Sequence, residues 1–218
     1  MVSQNRDEKT EAPLPADSSG EHGDIELVII RHGQTSGNAE RRYVGCASDQ
    51  PLSEAGREQA LQAQSFPQVS KVYVSKLRRT HETAALMFPH AEQVVVEGIH
   101  EMDFGVFTGR SADEMEDDEQ YREWVEGWCE GVCPGGESKA QFNERICAAM
   151  KAFLLDAASR GEHALYMVAH GGTLMAFLGA YGGVEGKYYE WNVGNCRGYR
   201  LGIQIEGDDV RISSIELL

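Results

Sequence analysis

Four short apolar runs break off into polar, chemically competent residues, with longer amphipathic segments between them, and this alternation constrains the fold more than any other feature of the chain. Leu27-Val28-Ile29-Ile30 runs into Arg31-His32-Gly33, and Val72-Tyr73-Val74 into Ser75-Lys76-Leu77-Arg78-Arg79. Val94-Val95-Val96 runs into a loop bearing Glu101, and Tyr166-Met167-Val168-Ala169 into His170-Gly171-Gly172. Continuous apolar runs belong to strands covered on both faces, and strands that alternate with helices build a largely parallel sheet. The pattern predicts strands over Ile25–Ile30, Lys71–Val74, Gln93–Val96 and Leu165–Ala169. Gly198–Ile205 and Val210–Ile215, joined by Glu206-Gly207-Asp208-Asp209, read as a closing hairpin. The expected fold class is therefore α/β, a three-layer α/β/α sandwich with a mostly parallel central sheet.

Among the helices, Ser138 and Gln141 form a capping box ahead of Phe142, Ile146, Ala149 and Phe153, which share one face. A shorter helix is expected to begin near Ser53, and another to carry Leu77 to Met87. Residues 1–24 hold Pro13, Pro15, Ser18, Ser19 and Gly20 and almost no large apolar side chain, so burial cannot offset the entropy of ordering them. They read as a flexible polar tail before one domain over residues 25–218, a length suited to a single core at roughly 100–200 residues per domain.

Charge narrows the partners. The chain carries 20 Lys and Arg against 35 Asp and Glu; without the tail it still holds 18 against 29. That excludes the basic field which drives nucleic-acid binding, and an anionic membrane surface as well. Ala164–Val184 lacks any charged residue, but its glycines and His170 favour a strand, a turn and a helix over a membrane span. Five scattered cysteines and no apolar leader before the first hydrophobic run point to a reduced, cytoplasmic protein. Cys129 and Cys133 have no second ligand pair at zinc spacing, so no metal is expected there.

With the four strands parallel, Arg31, His32, Arg79, Glu101 and His170 gather at the carboxyl edge of the sheet, where open α/β folds bind ligands. A lone histidine after a strand is usually a hydrogen-bonded loop residue; two, each followed by glycine at a strand end, suggest a site. The glycines are expected to let backbone N–H groups approach a ligand, Gly171-Gly172 at the start of a helix whose dipole favours an anion. Arg31 and Arg79 supply planar forks suited to phosphate oxygens. Ser111–Glu130 reads as an acidic helix with Tyr121, Trp124 and Trp128 as an inner stripe. In a sharper reading it is a lid whose charge, over Asp113–Glu119, repels a second dianion.

At these residues the chain resembles the histidine phosphatase superfamily, which includes the phosphoglycerate mutases. Arg31-His32-Gly33-Gln34-Thr35-Ser36-Gly37-Asn38 is similar to its R-H-G-x-T/S-x-x-N signature. Gly45 with Asp49 to Gly56, Ser75 to Ala84, Glu101 to Gly105 and His170-Gly171-Gly172 follow in the order of its further motifs, and the second picks Arg79 over Arg78. Thr80 and Glu82 stand where the family usually has Ala and Gln. The resemblance implies a phosphoglycerate mutase-like fold and a histidine phosphatase domain without metal or cofactor. It also implies His32 as the nucleophile that becomes phosphorylated, Glu101 as the proton donor, and Arg31, Arg79, His170 and Asn38 around the phosphoryl oxygens, with Gly45 and Gly171 beside them. The expected substrate is a small phosphomonoester, such as α-ribazole phosphate or a sugar phosphate, because Val106 to Glu114 and Pro134-Gly135-Gly136-Glu137-Ser138 are similar to elements of the small phosphatases; the latter is expected at the pocket rim. A cofactor-dependent phosphoglycerate mutase and a catalytically silent phosphate-binding module are the alternatives.

Overall fold

The computed structural model describes residues 24–63, 66–183 and 188–218. The expected tail lies outside the described residues, Asp24 excepted. Among these, the strands are β1 (Ile25–Arg31), β2 (Lys71–Val74), β3 (Glu92–Val95), β4 (Ala164–Ala169), β5 (Gly198–Glu206) and β6 (Asp209–Leu217). The helices are α1 (Ser36–Ala39), α2 (Glu54–Gln62), α3 (Arg78–Met87), α4 (Glu119–Glu126), α5 (Lys139–Ser159) and α6 (Gly171–Tyr181).

Side-chain alternation along β1 sets the layering, because successive residues of a strand point to opposite faces. Leu27 and Ile29 join one core with Phe142, Ile146, Met150 and Leu154 of α5 and Leu174 and Phe177 of α6. Val28 and Ile30 join a second core with Val72, Val74, Val168, Ala84 of α3 and the adjoining Phe88. Each fully buried large apolar side chain contributes roughly 1.5–3 kcal/mol, so covering both faces is what holds the three layers together. Ser138 caps α5 as expected: its Oγ accepts from Gln141 N while Gln141 Oε1 accepts from Ser138 N. Ser53 likewise caps α2 through Gly56 N.

The sheet has the order β3-β2-β4-β1-β5-β6. The first four strands pair in parallel, β5 runs antiparallel to β1, and β6 closes the hairpin, so the sheet is mixed and mostly parallel. Gly207, at φ +61°, supplies the left-handed residue that the tight hairpin turn requires. Arg31 sits opposite Ala169 in the β1–β4 register, which brings the next residues of both strands, His32 and His170, side by side. Ala164–Tyr181 forms β4 and α6, and no helix among the described residues is long and apolar enough to cross a membrane.

Two expectations are corrected. β3 begins and ends one residue earlier than the apolar run, because this half-exposed edge strand is positioned by pairing Glu92 with Lys71 and not by burial. Ser111–Glu130 is not one helix: Asp113–Met115 is a single 3₁₀ turn and only Glu119–Glu126 is α-helical. The helix ends at Gly127, and Trp128 and Cys129 take left-handed backbone at φ 58° and 60°. Tyr121 and Trp124 face inward as expected, but Trp128 is 83% exposed and leaves the stripe.

Candidate active site

The site forms where β1, β2 and β4 end, around His32. This imidazole is almost fully buried, with Nδ1 2.7 Å from Gly33 O and Nε2 3.2 Å from Arg79 Nε. A carbonyl only accepts and a guanidinium only donates, so the two contacts fix the tautomer: the proton is on Nδ1 and the lone pair on Nε2. Burial, followed by the charge of Arg79, pushes the His32 pKa well below 6.5, which keeps the ring neutral. His170, fully buried behind it, is held neutral by the same two causes, and its ring lies edge-to-face to His32 at 5.2 Å.

Arg79 is held rigidly for so buried a cation. Its Nη1 donates to Ser48 O and its Nη2 to Gly45 O, at 3.0 and 2.9 Å. Gly45 takes φ +54° to let this loop approach the next, and a Cβ there would stand 2.9 Å from Met102 O. Arg31 Nη1 donates to Val193 O, while its buried Nε has no partner among the described residues. Asn38 completes a capping box with Thr35 through its Oδ1, leaving Nδ2 without a partner among the described residues. Glu101 accepts from Gly172 N at 3.1 Å and from Met102 N at 3.0 Å, so its carboxylate caps α6.

A cavity of about 350 Å³ joins these groups: Arg31, His32, Asn38, Gly45, Arg79 and Glu101 all line it. The remaining wall is mainly apolar and aromatic, from Tyr43, Phe104, Trp124, Phe142, Met175, Tyr188 and Tyr189, with Arg42 and Lys139 among them. Both added cations already hold carboxylates, Arg42 those of Glu40 and Glu114 and Lys139 that of Glu130. Arg78, by contrast, pairs with Glu82 on the surface, away from the cavity.

Several placements differ from expectation. The Gly33 N–H donates to Thr83 Oγ1 and faces no ligand; the glycine is needed because a Cβ would meet Gly56 O at 2.7 Å. Gly172, not Gly171, lies in the cavity wall, and its N–H is occupied by Glu101, while Gly171 packs behind Arg31. The acidic stretch does not overhang the mouth: Glu114 is drawn to Arg42 and Asp118 to Arg110, and none of Asp113–Glu119 lines the cavity. Pro134–Ser138 is not at the rim either. It braces the Glu101 loop, with Glu137 Oε2 accepting from Asp103 N, Glu137 N donating to Asp103 O, and Arg145 bridging Glu137 to the carbonyls of Gly98 and His100.

A sequence model of the histidine phosphatase superfamily, branch 1, matches residues 27–215. The chain belongs to this superfamily. Over 163 residues it is 33% identical to a probable phosphoglycerate mutase GpmB of Klebsiella pneumoniae (strain 342), covering 71% of this chain and 75% of the relative. The GpmB of Salmonella choleraesuis (strain SC-B67) is 32% identical over 164 residues, with the same coverage of 71% and 75%. Among solved structures, a putative alpha-ribazole-5'-P phosphatase of Escherichia coli K-12 aligns at TM-score 0.73 and 23% identity over 89% of this chain and 95% of that one. A phosphoglycerate mutase of Bacillus anthracis aligns at TM-score 0.69 and 20% identity, covering 89% and 93%. These likenesses establish the phosphoglycerate mutase-like fold of this superfamily member.

Sequence reasoning missed Arg42, Tyr43, Lys139, Tyr188, Tyr189 and the Asn192–Asn195 loop. Asn195 Nδ2 donates to His32 O, and Arg31 reaches Val193 O. The antiparallel direction of β5 explains that loop: its start lies at the same edge as the end of β1. Two asparagines just ahead of the hairpin were the available signal.

Proposed function

We propose that this protein is a phosphomonoester hydrolase that works through a phosphohistidine on His32. The observation that supports the reading is the fixed tautomer: a neutral imidazole with its lone pair on Nε2, where it accepts from Arg79 Nε at 3.2 Å, beside a cavity that His32, Arg31 and Arg79 all line; a phosphoryl oxygen that takes over this N–H frees the lone pair for attack. In the first step Nε2 attacks phosphorus in line and the P–O bond to the alcohol breaks. Arg31, Arg79 and Asn38, which line the cavity beside Gly45, stabilise the charge on the equatorial oxygens, with His170 behind His32 and Gly171 behind Arg31. Glu101 gives its proton to the leaving alkoxide, then takes one from the water that attacks the phosphohistidine and releases phosphate. The arginines fill the charge-neutralising role that metals play elsewhere, so EDTA leaves activity unchanged.

The wall of the cavity supports substrates with one phosphoryl group and an uncharged, ring-bearing remainder, of which α-ribazole phosphate is one and a sugar phosphate a more polar second. Trp124 and Tyr43 offer the ring faces. The mutase reading gains from the GpmB relatives and from Arg42 and Lys139 in the wall, since a bisphosphorylated intermediate needs extra cations. Their pairing with Glu40, Glu114 and Glu130 weighs for hydrolysis. A silent binding module has no need of Glu101 beside the nucleophile. Turnover of para-nitrophenyl phosphate by the wild type but not by His32→Ala supports the proposal; equal turnover by both refutes it. A panel of kcat/KM values in which 2,3-bisphosphoglycerate outranks every monophosphate favours the mutase.

A further inference from the structure

The cations in the cavity wall differ in what holds them. Arg31 and Arg79 donate to the carbonyls of Val193, Ser48 and Gly45, which leaves their charge for a phosphoryl group. Arg42 is locked: Nε donates to Glu40, Nη1 to Gly109 O and to Glu114, and Nη2 to Glu114 at 2.9 Å. Lys139 is paired with a single carboxylate, that of Glu130, at 2.6 Å. Its ammonium also lies over the rings of Tyr188 and Tyr189, at 4.4 and 4.9 Å, and both rings line the cavity with it. The Lys139 side chain is 15% exposed and that of Glu130 59%, so the cation is built into the wall while its counter-ion reaches it from the solvent side. Burial would lower the Lys139 pKa, but the bond to Glu130 and the contact with Tyr189 outweigh it, and the ammonium stays charged.

We infer that Glu130 is a specificity-determining residue: by occupying the Lys139 ammonium it denies the cavity wall to a second anionic group, so that the favoured substrates are phosphomonoesters with an uncharged remainder. A carboxylate on the substrate gains an ion pair with Lys139 only by displacing Glu130, which exchanges one carboxylate for another; if Glu130 stays, the two repel. An uncharged remainder leaves the pair intact and meets the faces of Tyr188 and Tyr189 beside it. Arg42 offers no substitute, since the bonds to Glu40, Glu114 and Gly109 engage all three of its nitrogens. The selection acts through Lys139 and leaves the phosphoryl end of the cavity, at Arg31 and Arg79, untouched. It deepens the hydrolase reading and rests on it for the turnover of these substrates, whereas the choice by charge is a property of binding.

Matched substrates test it: phosphates of short ω-hydroxy acids of graded length, each beside the phosphate of the diol of the same length, so that some member of the series carries its carboxylate from the phosphoryl site to Lys139. The wild type is expected to prefer the diol phosphate at every length. Glu130→Gln is expected to raise the acid-to-diol ratio of kcat/KM by roughly tenfold at the length that reaches Lys139, mainly through KM, the order of gain that a hydrogen bond from a charged donor gives. Adding Lys139→Met to that variant returns the ratio to the wild-type value. General damage to the fold lowers both members of a pair and does not move the ratio. A wild type that prefers the acid, a ratio that Glu130→Gln leaves unchanged at every length, or a gain that survives Lys139→Met each overturns the inference. The matching phosphonates, whose P–C bond is not hydrolysed, should give the same ratios as Kd values in calorimetry. Full turnover by His32→Ala would instead remove the phosphohistidine reading and leave that binding result standing.

Discussion

Replacing Arg145 with Met tests how Glu101, the proposed proton donor, is held. The guanidinium binds both oxygens of Glu137 at 2.8 Å and donates to the carbonyls of Gly98 at 2.6 Å and His100 at 3.0 Å, on the N-terminal side of Glu101. Glu137 in turn holds Asp103 N at 2.9 Å on the C-terminal side. Burial alone would raise the Glu137 pKa, but the bonds from Arg145 and Asp103 outweigh it and the pKa is lowered. Breaking a buried pair costs about 3–5 kcal/mol. Here both side chains are 22% exposed, so water solvates part of what is left and ~2–3 kcal/mol is expected. For a chain of this size that lowers Tm by about 4–12 °C, read by calorimetry. The freed loop also misplaces Glu101, and a displacement near 1 Å costs on the order of a hundredfold in rate. The loss should be large for alkyl phosphates and small for para-nitrophenyl phosphate, whose leaving group hardly needs a proton. A Tm within 1 °C of wild type, or equal losses on both substrates, would refute the reasoning.

Gly172→Ala places a Cβ 2.1 Å from Glu101 Oε1 and 2.9 Å from Phe142 Cζ, so it should cut kcat on alkyl phosphates by tenfold or more while kcat on nitrophenyl phosphate falls less; parallel losses would contradict the role given to Glu101. Trp124→Ala should raise KM for aryl and nucleoside-like monophosphates severalfold and leave KM for small alkyl phosphates alone, which steady-state kinetics can check. Stability should fall as pH drops below 6.5. His32 and His170 have folded pKa values well below 6.5 and that of His100 lies at about 4, so the unfolded chain binds protons that the folded one does not. Each such histidine contributes about 1.4 kcal/mol per pH unit in that window, and a Tm that stays constant from pH 7 to 5.5 would mean that they are charged in the folded protein. The acid limb of kcat/KM should likewise lie below pH 6.5.

What was legible in the sequence was whatever repeats a local rule. The apolar runs gave the parallel strands because burial on both faces demands uninterrupted hydrophobicity, and the capping box marked the start of α5 because its hydrogen bonds are local. His32, Arg79, Glu101 and His170 were legible because each follows a strand that ends at the same edge. The rest depends on what meets across the fold. Trp128 continues the spacing of Tyr121 and Trp124, yet Gly127 ends the helix before it. The acidic run looked like a charged lid only while its arginine partners, Arg42 and Arg110, were unplaced. Tyr188 and Tyr189 meet Lys139 through cation–π contacts at 4.4 and 4.9 Å across about fifty residues of chain, a pairing that no local pattern announces.

The central claim is covalent, so the most direct measurement is to trap the intermediate. Wild-type protein mixed with ³²P-labelled monoester and quenched within milliseconds, without acid, should carry phosphate that is labile to acid and stable to alkali, and peptide mapping should place it on His32. His32→Ala should carry none and should lose turnover. Label on a serine, label that survives acid, or a His32→Ala variant with full activity would contradict the account.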